Sequence, residues 1–181
     1  IPAFNAENTI ARALSSARSQ NEERLEIIVV DDASTDRTAA IVADEAAIDH
    51  RVRLLRLPVN AGPAAARNQG IAIARGDWIA LLDADDSYHP ERIAKLLDLA
   101  DLVGADMVAD NILLCDVSGQ GPDALMIPPM LLSQPMELTT AEFIARNVGS
   151  PQTPRVSFGF LKPLLRADFL REKRLSYDER N

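Results

Sequence analysis

The sequence has a single cysteine, Cys115, so no internal disulfide is available and a reducing, cytoplasmic setting is expected. No apolar run reaches the ~18 residues needed to span a bilayer. Neither an initiator methionine nor a signal peptide opens the chain. It begins Ile1-Pro2-Ala3-Phe4, which reads as the end of a strand, and residues preceding Ile1 are expected. Bases are outnumbered, 19 Lys and Arg against 27 Asp and Glu, for a formal net charge of −8. That balance argues against nucleic acid or an anionic membrane surface as the partner. The only two histidines, His50 and His89, and Cys115 are too scattered for a zinc site. The turn Asn5-Ala6-Glu7-Asn8 lacks glycine, which excludes the dinucleotide-binding fingerprint, and no G-x-x-x-x-G-K-[ST] occurs.

Hydrophobic residues make up 47% of the chain and charged residues 25%, enough for one packed domain. Leu25–Val30 is a short apolar run rich in β-branched residues, as a buried parallel strand should be, and Arg53–Leu57 and Trp78–Leu82 read alike. Between the strands, Ile10, Ala13, Leu14 and Ala17 form one helical face. Helices are also expected over 38–47, with Ser34 or Thr35 as N-cap, over 62–74, and from Pro90 with Ile93, Leu96, Leu97 and Ala100 inward. A further strand is expected near Met107-Val108. Strands alternating with helices imply βαβ units and a mostly parallel sheet. The pattern weakens after Cys115. Residues 119–135 read as a long loop, 140–147 as a short helix, 151–154 as a turn and 167–172 as a last helix.

In an open α/β sheet, ligands bind beyond the carboxyl ends of the strands. Two strand ends carry five acids, Asp31 and Asp32 on one and Asp83, Asp85 and Asp86 on the other, with Asp36 just behind. Such crowding is costly unless a cation or donor groups compensate it. The pair Asp83-Ala84-Asp85 sits at a strand-to-turn junction, where two carboxylates can face one ligand. A hard ion, Mg2+ or Mn2+, takes a few carboxylates and fills its shell with phosphate oxygens, which lets an anionic protein bind an anionic phosphate ligand.

Four segments in order resemble family 2 glycosyltransferases of the bacterial polysaccharide type, with the GT-A fold. They are Pro2-Ala3-Phe4-Asn5-Ala6-Glu7, Val29 to Asp36, Asn60-Ala61-Gly62-Pro63 followed by Ala66-Arg67-Asn68-Gln69-Gly70, and Gly76-Asp77 leading to Leu82-Asp83-Ala84-Asp85-Asp86. The match covers roughly residues 1–100, with looser agreement at Gly159 to Arg166 and Tyr177-Asp178-Glu179. The resemblance implies an α/β fold, a Rossmann-like mostly parallel sheet flanked by helices. Residues 1–115 would form the nucleotide-sugar-binding half and 116–181 a less regular acceptor-side region of the same domain.

The resemblance also implies roles. Phe4 would lie near the nucleotide base and Pro2 would shape the strand end. Asp32 would accept a hydrogen bond from the base, typically uracil. Glu7 and Arg67 would line the nucleotide and diphosphate, Asp83 would face the ribose or sugar, and Asp85 would hold Mn2+ or Mg2+ against the donor diphosphate. The expected partners are a nucleotide-sugar donor, a UDP-sugar, and a saccharide or lipid-linked saccharide acceptor. In the lipid-linked case the enzyme works peripherally at the cytoplasmic face of the membrane. An inverting member needs a carboxylate base for the acceptor hydroxyl. It is expected beyond Asn181, with Asp178 or Glu179 as the alternative, so the 181 residues would bind donor with an incomplete acceptor site. Two other readings stay open. A sugar-phosphate nucleotidyltransferase would want a Gly-rich basic loop after the first strand, and the last alternative is a non-catalytic nucleotide-sugar-binding domain.

Overall fold

The structure is a computed structural model, and it describes residues 1–115, 123–129, 132, 134–148, 158 and 161–180. In chain order the elements are β1 (Pro2–Ala3), α1 (Ile10–Arg18), β2 (Ile27–Asp31), α2 (Thr38–Ile48), β3 (Val52–Arg56), α3 (Gly62–Ile73), β4 (Trp78–Ala80), α4 (Arg92–Val103), β5 (Met107–Val108), β6 (Leu113–Leu114), β7 (Ala124–Leu125), α5 (Thr140–Val148), β8 (Leu164–Arg166) and α6 (Ala167–Lys173). Part of the expected loop at 119–135, the expected turn at 151–154 and Gly159-Phe160 lie outside the described residues. Within that loop the expectation is corrected at Ala124–Leu125, which forms the short strand β7. The chain divides into two units, residues 1–108 with 163–181, and residues 109–162.

The first unit carries the α/β architecture. β1, β2 and β3 form a parallel sheet in that order, with Pro2 opposite Val30 and Ile27 opposite Val52. Helix α1 buries the expected stripe, Ile10, Ala13, Leu14 and Ala17. Those residues meet Ala3, Val29, Val42 and Val52 in one core. The expected α2 cap is corrected. Neither Ser34 nor Thr35 caps the helix. The helix starts at Thr38, so the N-cap position falls on Arg37, past Ser34 and Thr35, and Asp36 accepts the Thr38 N–H at 2.9 Å. Helix α4 starts at Arg92, two residues after Pro90, and ends on Gly104, whose φ of 65° is the left-handed C-cap that glycine adopts freely.

β4 and β5 do not pair with each other. Between them lies β8, antiparallel to both, with Trp78 opposite Arg166 and Met107 opposite Leu165. Nothing in the expected βαβ pattern foresaw this strand. It is three residues long, follows Pro163, and buries both Leu164 and Leu165, so it shows no alternation. Its return places the C-terminal residues beside α3. Ile79, Leu165 and Leu170 share a core with the half-buried Ile71 and Tyr177.

In the second unit β6 pairs antiparallel with β7. Thr139 and Glu142 exchange hydrogen bonds at the start of α5, a capping box, and Phe143 stacks on the buried Phe158 with ring centres 6.3 Å apart.

Candidate functional site

The carboxyl ends of β1 and β2 are laced together by short polar side chains. The Asn5 N–H donates to the Ser34 hydroxyl at 2.9 Å, and the Asn5 side-chain Oδ1 accepts the Thr35 N–H at 2.9 Å. The Ala6 N–H donates to the Thr38 hydroxyl at 2.7 Å, the Glu7 N–H to Asp36 at 3.1 Å, and the Glu7 carboxylate accepts the Arg37 N–H at 3.0 Å. Asn5 and Ala33 hold φ values of 48° and 61°. Left-handed backbone at residues other than glycine costs energy and persists where the surroundings enforce it, often at ligand sites. Phe4 follows β1 and is half exposed, at 49%, an apolar ring open to solvent on this rim.

The two adjacent acids after β2 do different work. Asp31 is fully buried. It takes the Arg56 guanidinium at 2.9 Å and the Ser34 N–H at 3.2 Å, so it ties the loop to β3. Asp32 points the other way and receives the Ala61 and Gly62 N–H groups, both at 2.8 Å, one on each carboxylate oxygen. Those amides open α3, where the helix dipole favours an anion. Gly62 has φ 85°, so the turn that aims its N–H at Asp32 calls for glycine. Each carboxylate oxygen has a second lone pair, so Asp32 can still accept from a ligand.

Beyond β4, oxygens of Asp83, Asp85 and Asp86 lie within 4.8 Å of one another. Asp83 is half-buried and pairs with Arg67 of α3 at 2.7 Å, while Asp85 and Asp86 are exposed. The Asp85 carbonyl accepts a hydrogen bond from Arg12 of α1, which fixes the turn. Three convergent carboxylates, two of them exposed, form an all-oxygen donor set of the kind that hard divalent cations such as Mg2+ and Mn2+ take.

Helix α3 also holds the end of the chain. Asn68 donates to the Tyr177 carbonyl at 2.9 Å and to Glu179 at 2.7 Å, and accepts the Tyr177 N–H at 2.9 Å. The Arg67 guanidinium lies over the Tyr177 ring, 5.5 Å from its centre. Burial pushes the Tyr177 hydroxyl up from its usual pKa. Asp178 turns outward into a two-pronged pair with Arg180 at 2.8 and 2.7 Å, and this hydrogen bonding holds its carboxyl below the usual range.

Of the residues singled out from the sequence, Arg67, Asp83 and Asp85 come together on one rim, and Asp32 faces the first turn of the helix that carries Arg67. Pro2 pairs with Val30 within the sheet, and Glu7 bridges to the start of α2. Asp178 and Glu179 are divided between Arg180 and Asn68. Two members of the arrangement had no role of their own in the sequence reading: Asp86, counted only among the acids of the strand ends, and Asn68, quoted only within a matching segment. The tethering of Tyr177 by Asn68 leaves no local signal, because its partners lie 109 and 111 residues away.

The sequence signature described as Glycosyl transferase family 2 matches residues 1–155. The succinoglycan biosynthesis protein ExoO of Rhizobium meliloti (strain 1021) is 41% identical over 179 residues, which is 99% of this chain and 50% of that protein. The chain thus spans half the length of that relative. The crystal structure of S. aureus TarS, residues 1–349, aligns with a TM-score of 0.75 at 24% identity, over 99% of this chain and 49% of that one, a likeness of fold. The mannosyltransferase PcManGT of Pyrobaculum calidifontis, solved with GDP-Man and Mn2+, aligns over 60% of this chain and 33% of its own with a TM-score of 0.56 at 26% identity.

Proposed function

The chain belongs to glycosyl transferase family 2, and from that membership we propose that it transfers a sugar from a UDP-sugar to a saccharide or lipid-linked saccharide, with inversion and with the help of a divalent metal. The observation that carries this reading is the convergence of Asp83, Asp85 and Asp86 on one rim with Arg67 against Asp83. Residues 1–115 bind the donor. The acceptor is met by residues 116–181, of which 163–181 pack in the first unit.

Each side chain has a defined task. Phe4 flanks the base, and Pro2 shapes the strand end behind it. Asp32, already oriented by the Ala61 and Gly62 N–H groups, accepts the uracil N3–H on a remaining lone pair. Glu7 and Arg67 line the nucleotide and diphosphate side. Asp83, steered by Arg67, faces the ribose and sugar. Asp85 holds Mn2+ or Mg2+, with Asp83 and Asp86 beside it. Such a cation stabilises the charge that develops on the leaving nucleoside diphosphate. The Mn2+ bound to PcManGT supports the metal, and ExoO's role in succinoglycan biosynthesis supports a saccharide acceptor.

The acceptor hydroxyl loses its proton to a carboxylate beyond Asn181. Asp178 is the weaker alternative, since its pairing with Arg180 lowers its basicity, and Glu179 is the other. Among the described residues no helix is long and apolar enough to cross a membrane. With a lipid-linked acceptor, the proposed place of work is the cytoplasmic face of the membrane, in peripheral contact with it. The test is a panel of nucleotide sugars offered to the full-length protein with Mn2+ and a lipid-linked saccharide acceptor. Transfer from one UDP-sugar is expected, and transfer from none would overturn the proposal.

A further inference from the structure

The C-terminal stretch after α6 has little backbone structure of its own. Leu175 N–H bonds back to the Leu170 carbonyl at 2.9 Å, and the Arg180 N–H turns onto the side chain of Asp178. Between those points the side chain of Asn68 tethers the main chain: its amide donates to the Tyr177 carbonyl and accepts the Tyr177 N–H, as a neighbouring strand would, and also donates to Glu179. The adjacent residue on α3, Arg67, faces two ways, to the Asp83 carboxylate at 2.7 Å and to the Tyr177 ring. Two consecutive residues of one helix therefore bind the Asp83 side of the donor rim and the Tyr177–Glu179 segment to the same rigid element.

We infer that Asn68 is a positioning residue of the transfer reaction: it holds the Tyr177–Glu179 segment at a fixed place beside the donor rim, so that the carboxylate in or following that segment meets the acceptor hydroxyl. The inference rests on the glycosyltransferase reading. The hydrogen bonds of the Asn68 side chain go to Tyr177 and Glu179, so its loss acts on the step that needs the segment in place and leaves donor binding alone. A small displacement of a reacting group is enough to cost about 10²-fold in rate. The amide suits the task because it offers a donor and an acceptor in one plane, matching a peptide group. Aspartate has the same shape but lacks the donor, and it would repel Glu179.

The experiment uses the full-length enzyme and two variants, Asn68→Ala and Asn68→Asp, the second nearly isosteric so that folding is preserved. Three quantities are read: kcat for sugar transfer at saturating UDP-sugar and Mn2+, the Kd for UDP with Mn2+ by calorimetry, and the rate of tryptic cleavage after Arg174. Both variants are expected to lose about 10–100-fold in kcat, to keep UDP affinity within about twofold, and to be cut faster after Arg174. Unchanged kcat in Asn68→Asp, or a loss of UDP affinity as large as the loss of kcat, would overturn the inference while leaving the proposed function standing. A parent enzyme that transfers no sugar would instead overturn the proposed function, and the inference with it.

Discussion

Asp32 is asked to do two things, and substitution separates them. Its carboxylate is 3% exposed and takes two N–H groups at 2.8 Å from the start of α3. A hydrogen bond to a charged group contributes about 1.5–3 kcal/mol, and Asp32→Ala removes two. Ala61 is exposed and Gly62 partly so, which lets water recover part of the loss. A net destabilisation of about 2–3 kcal/mol is expected, near the upper end for an N-terminal cap. For a domain of this size that is a fall in Tm of about 5–10 °C. Urea unfolding followed by circular dichroism measures it, and a variant as stable as the parent would refute the capping role. UDP and CDP are then titrated below the transition, where the variant is folded. A carboxylate accepts from the uracil N3–H, and cytosine presents no such donor. The variant is expected to lose roughly tenfold or more in UDP affinity and most of its preference for UDP over CDP. Preserved selectivity would reduce Asp32 to a helix cap.

Two further perturbations test the frame around it. Gly62→Ala places a Cβ where nothing lies within 4 Å, but at φ 85°, so the cost is backbone strain alone, about 1–2 kcal/mol; chemical denaturation showing no loss would mean that α3 starts in another geometry. Asp49 is bonded by Arg51 and Arg18, with Arg51 the larger influence, and its carboxyl lies well below the usual range. An unfolded Asp titrates near ~3.9, so this stabilisation is complete above about pH 5 and is lost as pH falls toward the lowered value. The stability gap between the parent and Asp49→Asn should therefore shrink from pH 6 to pH 3, and a constant gap in urea midpoints would contradict the pairing.

The elements that were legible in the sequence are those that carry a repeated signal. Ile10, Ala13, Leu14 and Ala17 had to be one helix face, and the run ending in Val29-Val30 had to be a strand covered on both sides. The acids at the strand ends were legible as a group because ligands of an open sheet bind beyond its strand ends, so Asp32, Asp83 and Asp85 could be singled out before their contacts were known. β8 was not, since three residues with both leucines buried have no period, and its partners lie about 60 and 90 residues earlier in the chain. The capping of α2 was misassigned for a related reason. Ser34 is a good cap by type, but the helix starts later, at Thr38, and the Ser34 hydroxyl instead holds the N–H of Asn5, 29 residues away. Asn68 shows the limit most clearly, because a side chain that pairs with a distant backbone leaves no local trace.

The proposed donor site is tested most directly by titrating UDP into the protein by calorimetry, once with Mn2+ and once with EDTA, and repeating both with Asp85→Asn. Asp83, Asp85 and Asp86 gather their oxygens within 4.8 Å, so without a cation they repel a diphosphate. UDP is expected to bind at least about tenfold more tightly with Mn2+, a difference of ~1.4 kcal/mol, and Asp85→Asn should remove most of that gain while the far-ultraviolet spectrum stays unchanged. Equal affinity in Mn2+ and in EDTA, or a full metal gain in Asp85→Asn, would contradict the assignment of this rim as a metal-assisted nucleotide-sugar site.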